Sequence, residues 1–445
     1  MTPDAEETPA NGSARNDAPR RSERPRLLAA LAVPSFRLYL AGQAVSLPGT
    51  WMQVVAQSWL VLQLTRSGAL LGLVAAAQFL PVLVLGPYGG LIADWASKRR
   101  LLLVTQSLLG LLALTLGLLT VTHVVRLWMV FVLAVALGLV NSVDQPTRQA
   151  FVPEMVGRDN VQNAVSLNSV LTNASRAIGP AMAGVLIAAA GVGVCFLVNA
   201  GSFAAVLIAL ALIRAGALHP ASPARRTSGQ LREGLRYVRG SPGLLVPLLM
   251  MALVGTLAYE FQVTLPLLAQ ISLHGNASTY GYMTASMGIG AVGGGLVVAG
   301  LGRTGLLPFT VAAGGFAAAI LGAALAPSLP AELAALAVVG FFSTGFMATG
   351  NSTLQLTADP QYLGRVMALW SVTFSGSTPI GGPIVGVIGD DLGPRYALGV
   401  GALACVAAGA LGLVALVRVP PADRYAQRPG ELDWRTYQQA HESRA

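Results

Sequence analysis

The chain has 445 residues, 54% hydrophobic and only 11% charged, with a mean hydropathy of +0.64 and a net charge of +9. Soluble domains carry about 25% charged residues, so the two or three soluble domains that the length alone suggests are excluded. Nucleic-acid binding is excluded as well, because the basic residues alternate with apolar runs and form no single stripe. Residues 1–36 read as a tail, rich in Pro, Ala, Arg and acidic residues up to Arg26 and disordered by composition. No short apolar core with a small-residue cleavage site follows it, so it is not read as a signal peptide.

Twelve apolar runs follow, each near the length of about 20 residues that spans a bilayer. The first six cover 38–63, 68–92, 101–122, 127–143, 163–189 and 192–213. The second six cover 244–270, 279–301, 305–326, 331–350, 366–388 and 394–417. Backbone groups in hydrocarbon must bond within their own segment, so each span is predicted helical. Prolines inside spans (Pro48, Pro81, Pro180, Pro383) predict kinks, not ends. The expected fold is an all-α integral membrane protein with two pseudo-symmetric six-helix halves, 37–214 and 244–418. A cytoplasmic loop at 215–243 joins them and a cytoplasmic tail at 419–445 follows. In that loop Leu231, Leu235 and Val238 share one helical face and Arg232, Arg236 and Arg239 the other, which predicts an amphipathic helix lying on the membrane surface.

Orientation follows from the basic residues. With the N-terminus inside, 24 of the 28 Lys and Arg residues fall on the cytoplasmic side, against Arg66, Arg126 and Arg395 outside and Arg176 within a span. Both termini are then cytoplasmic. The halves show weak repetition at an offset of 202 residues: Ile178, Gly179, Gly184 and Val185 meet Ile380, Gly381, Gly386 and Val387. Duplicated halves are a hallmark of secondary transporters.

Span two ends in Gly90-Leu-Ile-Ala-Asp94-Trp-Ala-Ser-Lys98-Arg99-Arg100. A glycine, an acid four residues on and a basic cluster resemble the loop after helix two of the major facilitator superfamily, with Trp95 and Ser97 departing from its pattern. The stretch Asp144-Gln-Pro-Thr-Arg148-Gln149-Ala-Phe-Val-Pro153-Glu154, then Asn163, Asn168, Arg176 and Gly179-Pro180, resembles the enterobactin-exporter-like and drug–proton antiporter branch. Gly364-Arg365-Val-Met-Ala-Leu is also similar to that branch, and the resemblance covers about Phe36 to Val419. It implies a transporter rather than an enzyme, with a gating network of Gly90, Asp94, Arg99, Arg100, Asp144, Arg148 and Arg365. It further implies a helix-five hinge at Gly179, Pro180 and Gly184. Helices one, four, seven and ten would line the cavity with Gln53, Gln57, Asn141, Tyr259 and Asn351.

Ionisable groups within spans are costly and are candidates for function. Glu260 in span seven suits a proton carrier, or a glutamate bonded or wetted near the outer mouth. Arg176 in span five suits an anionic partner or a fixed packing charge. Gly288-Ile-Gly290-Ala-Val-Gly293 matches the dinucleotide fingerprint in letters but lies inside span eight with no strand before it, so close helix packing is the expected role. Cys195 and Cys405 sit in apolar spans and the four histidines have no ligand spacing, so neither a disulfide nor a metal is expected. The sole lysine, Lys98, follows serine rather than glycine, so no phosphate loop exists.

The expected protein is a monomeric secondary transporter of the bacterial inner membrane, without a cofactor. It would export siderophore-like or amphipathic drug-like molecules against protons, with uptake of a metabolite as the rival direction and a sensor as a distant one. Asp94 is expected to bind the positive N-terminus of helix eleven beside Arg365 and latch the cytoplasmic side. Asp94→Asn should then cut transport severalfold at unchanged membrane expression, measured by substrate accumulation beside immunoblotting; normal transport would sink the latch.

Overall fold

The computed structural model describes residues 28–157, 160–214, 216, 218–219, 230–359 and 361–418. Among them all regular elements are helical. A 3₁₀ turn, Ala29–Ala32, leads into α1 (Pro34–Thr65), α2 (Gly68–Trp95), α3 (Lys98–Val121), α4 (Leu127–Val156), α5 (Val161–Ala190) and α6 (Val192–Leu212). After α7 (Gln230–Gly240) come α8 (Pro242–Leu257), α9 (Phe261–Leu267) and a π-helical turn, Leu268–Ser272. The chain continues through α10 (Ala277–Leu301), α11 (Leu306–Leu325), α12 (Leu329–Thr357), α13 (Leu363–Ser375), α14 (Thr378–Asp391) and α15 (Pro394–Arg418). Ten segments among the described residues are long and apolar enough to cross a membrane, α8 to Ser272 being one of them. The more polar α1 and the broken pair α13–α14 are consistent with twelve crossings. The start of α1 and the end of α15 then share one face, called here the tail face; the other is the far face.

Three expectations change. Span four does not stop at residue 143: α4 runs on to Val156. Its polar extension is paid for by protein partners, Glu154 binding Lys98 at 2.7 Å and Asp144 fully buried among donors. Spans seven and eleven are each two helices. The amphipathic α7 docks on protein: Tyr237 stacks on Tyr362 at 4.2 Å and donates to Asp359, Glu233 pairs with Arg365 at 3.0 Å, and Val238 is buried, while Leu235 stays exposed. Arg365 also lies over the Tyr362 ring. The side chain of Asp94, and the calls on 1–27 and 419–445, lie outside the described residues.

The halves meet through glycine. A Cβ on Gly72 of α2 would stand 2.1 Å from the Gly382 carbonyl of α14, and one on Gly386 would stand 2.2 Å from the Gly68 carbonyl. Across the molecule, Gly281 of α10 faces Gly184 of α5, and Gly288 faces Ala177. The repeat at offset 202 therefore has structural meaning, since Gly184 and Gly386 make matching contacts between the halves. These contacts lie in the far-face parts of the helices. On the tail side Gly86 has no neighbour within 4 Å, and Tyr88 and Trp95 are exposed. The halves are thus in backbone contact at the far face. The fingerprint-like glycines also serve packing: a Cβ on Gly290 would meet the Ala337 carbonyl of α12 and one on Gly294 the Phe341 carbonyl.

A carboxylate fastens the far face. Asp390, at the end of α14, accepts from Ser67 Oγ (2.8 Å), Gly68 N (2.6 Å) and Ala69 N (3.0 Å) at the start of α2. An acid at its own helix C-terminus is unfavourable and at another helix's N-terminus favourable, so Asp390 gains by crossing between the halves. Loss of a helix cap costs about 0.5–2 kcal/mol. Leu267, buried against Gly68 and Gly389 beneath this contact, gives a reporter. In a Leu267→Cys background, Asp390→Ala is expected to raise labelling by a membrane-impermeant maleimide severalfold; unchanged labelling would mean that the far face is held without Asp390.

Candidate functional site

Two broken helices meet at the centre. α13 stops because Pro379 has no N–H to continue its ladder; the proline instead sits in the first turn of α14, where none is needed. Gly376 and Ser377 form the break, and Ser377 Oγ donates to the Phe374 carbonyl at 2.6 Å. α8 stops at Leu257, and α9 starts where the Glu260 carbonyl accepts from Val263 N and Thr264 N. The breaks adjoin: a Cβ on Gly255 would meet Ser377 Oγ at 3.0 Å, and one on Gly381 would meet the Thr256 carbonyl at 1.8 Å and Glu260 Oε1 at 3.1 Å.

Glu260 therefore lies in a dry junction, not at a wet outer mouth. It is 3% exposed; Thr378, the first residue of α14, hydrogen-bonds its carboxyl, and Oε1 has no hydrogen-bond partner. The positive end of α14 is the one compensating field. The next residue, Tyr259, turns elsewhere: its hydroxyl donates to the Ser343 carbonyl at 2.7 Å, and its ring packs with Phe261, Phe316 and Phe374.

Arg176 sits midway along α5. Its guanidinium lies 5.0 Å over the Trp51 ring of α1, and it joins no ion pair or hydrogen bond among the described residues. The helix-five glycines place it. A Cβ on Gly179 would meet the Pro48 carbonyl at 2.5 Å and Trp51 Cβ at 2.6 Å, so glycine lets α1 and α5 touch there. Pro180 is buried beside it, and Gly184 binds the other half, its carbonyl accepting from Ser278 Oγ.

A second polar region fills the N-terminal half. Gln53, Gln57 and Asn141 line one cavity of about 80 Å³ with Gln43, Gln106 and Arg148. Asn199 donates to Gln53 at 2.6 Å and Gln57 to Gln78 at 3.1 Å. Beneath them Asp144, wholly buried and 12 residues short of the end of α4, accepts from Thr105 (2.7 Å), Gln106 (2.8 Å) and Arg148 (2.5 Å). Asp144 and Arg148 thus belong to this interior rather than to the tail-face mouth. Gln57 and Gln78 also line a smaller space of about 20 Å³ with Gln262 of α9, carrying the polar track to the other half. Asn351 is not in it; it accepts from Gln355 at 2.5 Å within α12.

At the tail face Gly90 is half-buried, Arg100 is exposed, and Arg99 caps α6 by donating to the Leu210 (2.7 Å) and Ala211 (2.8 Å) carbonyls. The structure brings none of these together with Glu260. Sequence reasoning missed Asp390, Lys98–Glu154 and Gln262. The signal for Asp390 was available: an acid ending an apolar helix opposes that helix's dipole and needs a partner elsewhere.

A helical chain in two related halves, with broken helices meeting at the centre, has the architecture of the major facilitator fold. Over residues 26–441 it matches the transmembrane secretion effector family, and it belongs to that family. Among relatives it is 31% identical to the uncharacterized MFS-type transporter YfiS of Bacillus subtilis over 47% of this chain and 50% of that one; here it spans half the relative's length. It is 28% identical to the multidrug efflux pump Tap of Mycolicibacterium fortuitum (78% and 87% covered). With the enterobactin exporter EntS of Salmonella choleraesuis identity is 26%, covering 90% of this chain and 96% of that one. The fold matches a bacterial homologue of the human lysosomal transporter Spinster, solved inward-facing and occupied, with a TM-score of 0.68 at 16% identity (90% and 99% covered).

The buried ion pair gives a stability test. Removing one partner of such a pair leaves an uncompensated charge and costs about 3–5 kcal/mol. Asp144→Asn is expected to lower the thermal unfolding midpoint of the purified protein markedly, and Asp144→Asn with Arg148→Gln to recover part of the loss. A single variant as stable as the parent would mean that Thr105 and Gln106 hold the site without the carboxylate.

Proposed function

We propose that this chain exports small organic molecules from the bacterial cytoplasm in exchange for protons, by alternating access. The tail face is the cytoplasmic face in this reading, supported by the basic residues concentrated there. The protein works as a monomer in the inner membrane. The observation that carries the proposal is Glu260: a buried carboxyl with an unpartnered oxygen, set where the broken helices touch.

A carboxylate there is costly and a neutral acid is not. The charge of Glu260 therefore bears on how tightly α8 and α9 pack against α14. Two adjacent residues of α14 carry that to the rest: Gly381 touches Thr256 and Glu260, while Gly382 touches Gly72 of the other half. Loss of the proton would loosen the first contact and, through the same helix, the second. The energy of the proton gradient would thus enter at the seam that must open at the far face. Siderophore-like or amphipathic drug-like cargo is supported by the relatives named for enterobactin export and multidrug efflux.

The test is accumulation of dyes, antibiotics and siderophores in efflux-deficient bacteria at matched expression. Wild type should lower accumulation severalfold, and both a protonophore and Glu260→Gln should abolish the effect. Export by Glu260→Gln at the wild-type level would remove Glu260 from coupling. Accumulation raised by wild type would reverse the direction.

A further inference from the structure

We infer that Arg176, with Trp51 and Tyr259, forms a binding site for the anionic group of a planar organic acid, the class of molecule this carrier takes. The inference deepens the export reading and rests on it only in placing the site on the substrate's path.

Three observations converge. Arg176 stands at the middle of a 30-residue helix, so it lies about 20 Å from either end at 1.5 Å per residue. Lipid headgroups begin about 15 Å from the bilayer centre, which rules them out as its partner. No carboxylate, carbonyl or hydroxyl among the described residues pairs with its guanidinium, which lies 5.0 Å over the Trp51 ring. Arginines that serve packing here look different: Arg99 and Arg395 are spent on helix-end carbonyls, and Arg148 on Asp144. Finally, the opposite half presents Tyr259 within electrostatic reach of the guanidinium, with its hydroxyl committed to Ser343 and its ring held by three phenylalanines.

The chemistry follows from these groups. A guanidinium offers five donors in a flat fork that matches a carboxylate with two parallel bonds. The indole face beneath it orients the fork and continues as an apolar wall, so an acid whose carboxylate is conjugated to a ring fits both. The aromatic wall around Tyr259 belongs to the other half, so a ligand anchored on Arg176 reaches both halves at the seam where they part. Glu260 does not compete, because its carboxyl lies in the α14 junction.

The experiment is equilibrium binding to the purified full-length protein in lipid nanodiscs at pH 7. The probes are 1-naphthoate and 1-naphthamide, which share a ring and differ in charge. Wild type is expected to bind the acid roughly tenfold or more tightly than the amide. Arg176→Gln should bring the ratio to about one, and Arg176→Lys, which keeps the charge but loses the fork, should retain only part of the preference. Equal affinities in wild type, no saturable naphthoate binding, or a preference that survives Arg176→Gln would each overturn the inference. The titration uses no proton gradient. A naphthoate preference alongside failed export therefore sinks the export reading alone, and export without the preference sinks the anion site alone.

Discussion

Hydrocarbon offers no hydrogen bond, and every feature of this protein answers to that constraint. Backbone amides must be paired along the chain, so the spans are helical. The ladder is interrupted only where other protein covers the gap. Both interruptions, at Ala258–Glu260 and at Gly376–Ser377, occur in the C-terminal half and lie against one another. Polar side chains obey the same demand: Gln53 with Asn199, Gln57 with Gln78, and Asp144 with three donors. Against that background Glu260 and Arg176, like Tyr39 and Glu332, are not fully answered by the protein. Glu260 is buried with an oxygen that lacks a partner, and Arg176 meets no anion among the described residues.

The two halves divide the labour. The N-terminal half has a polar interior running from Arg148 toward Gln262, while the core of the other half is aromatic, built on Phe309, Phe316 and Phe346. They approach most closely where glycines face each other. Glycine against glycine brings backbones into contact without rotamers to reorganise, so the halves can close firmly and still part. Asp390 adds direction to a surface that would otherwise only slide.

Much of this was legible in the sequence because hydrophobic length and glycine placement are local signals. The helical spans, the split into halves and the packing role of Gly288 to Gly294 all follow from residues near one another in the chain. What escaped was whatever depends on a distant partner. Span four looked shorter than it is because the apolar run ends at Asp144; that residue is accommodated within the helix by Thr105 and Gln106 of α3 and by Arg148. The contacts of α7 with protein were not visible in sequence because Tyr362 and Asp359, which hold Tyr237, are more than 100 residues away. The break before Pro379 was open to inspection, whereas the one at Glu260 has no proline at the gap to announce it.

The polarity of α1 has a consequence for how the protein is made. This helix is not among the ten that qualify as spans by length and apolar character, yet it is made before the other spans described here. Its glutamines, Gln43, Gln53 and Gln57, find their partners on α2, α6 and the cavity they share, all synthesised later. Alone at the translocon, α1 is a weak anchor. It gains a stable place in lipid as one arm of a helical hairpin with α2, whose first 19 residues are strongly apolar. The same side chains that furnish the interior of the finished carrier thus make its earliest moment in the membrane a joint insertion.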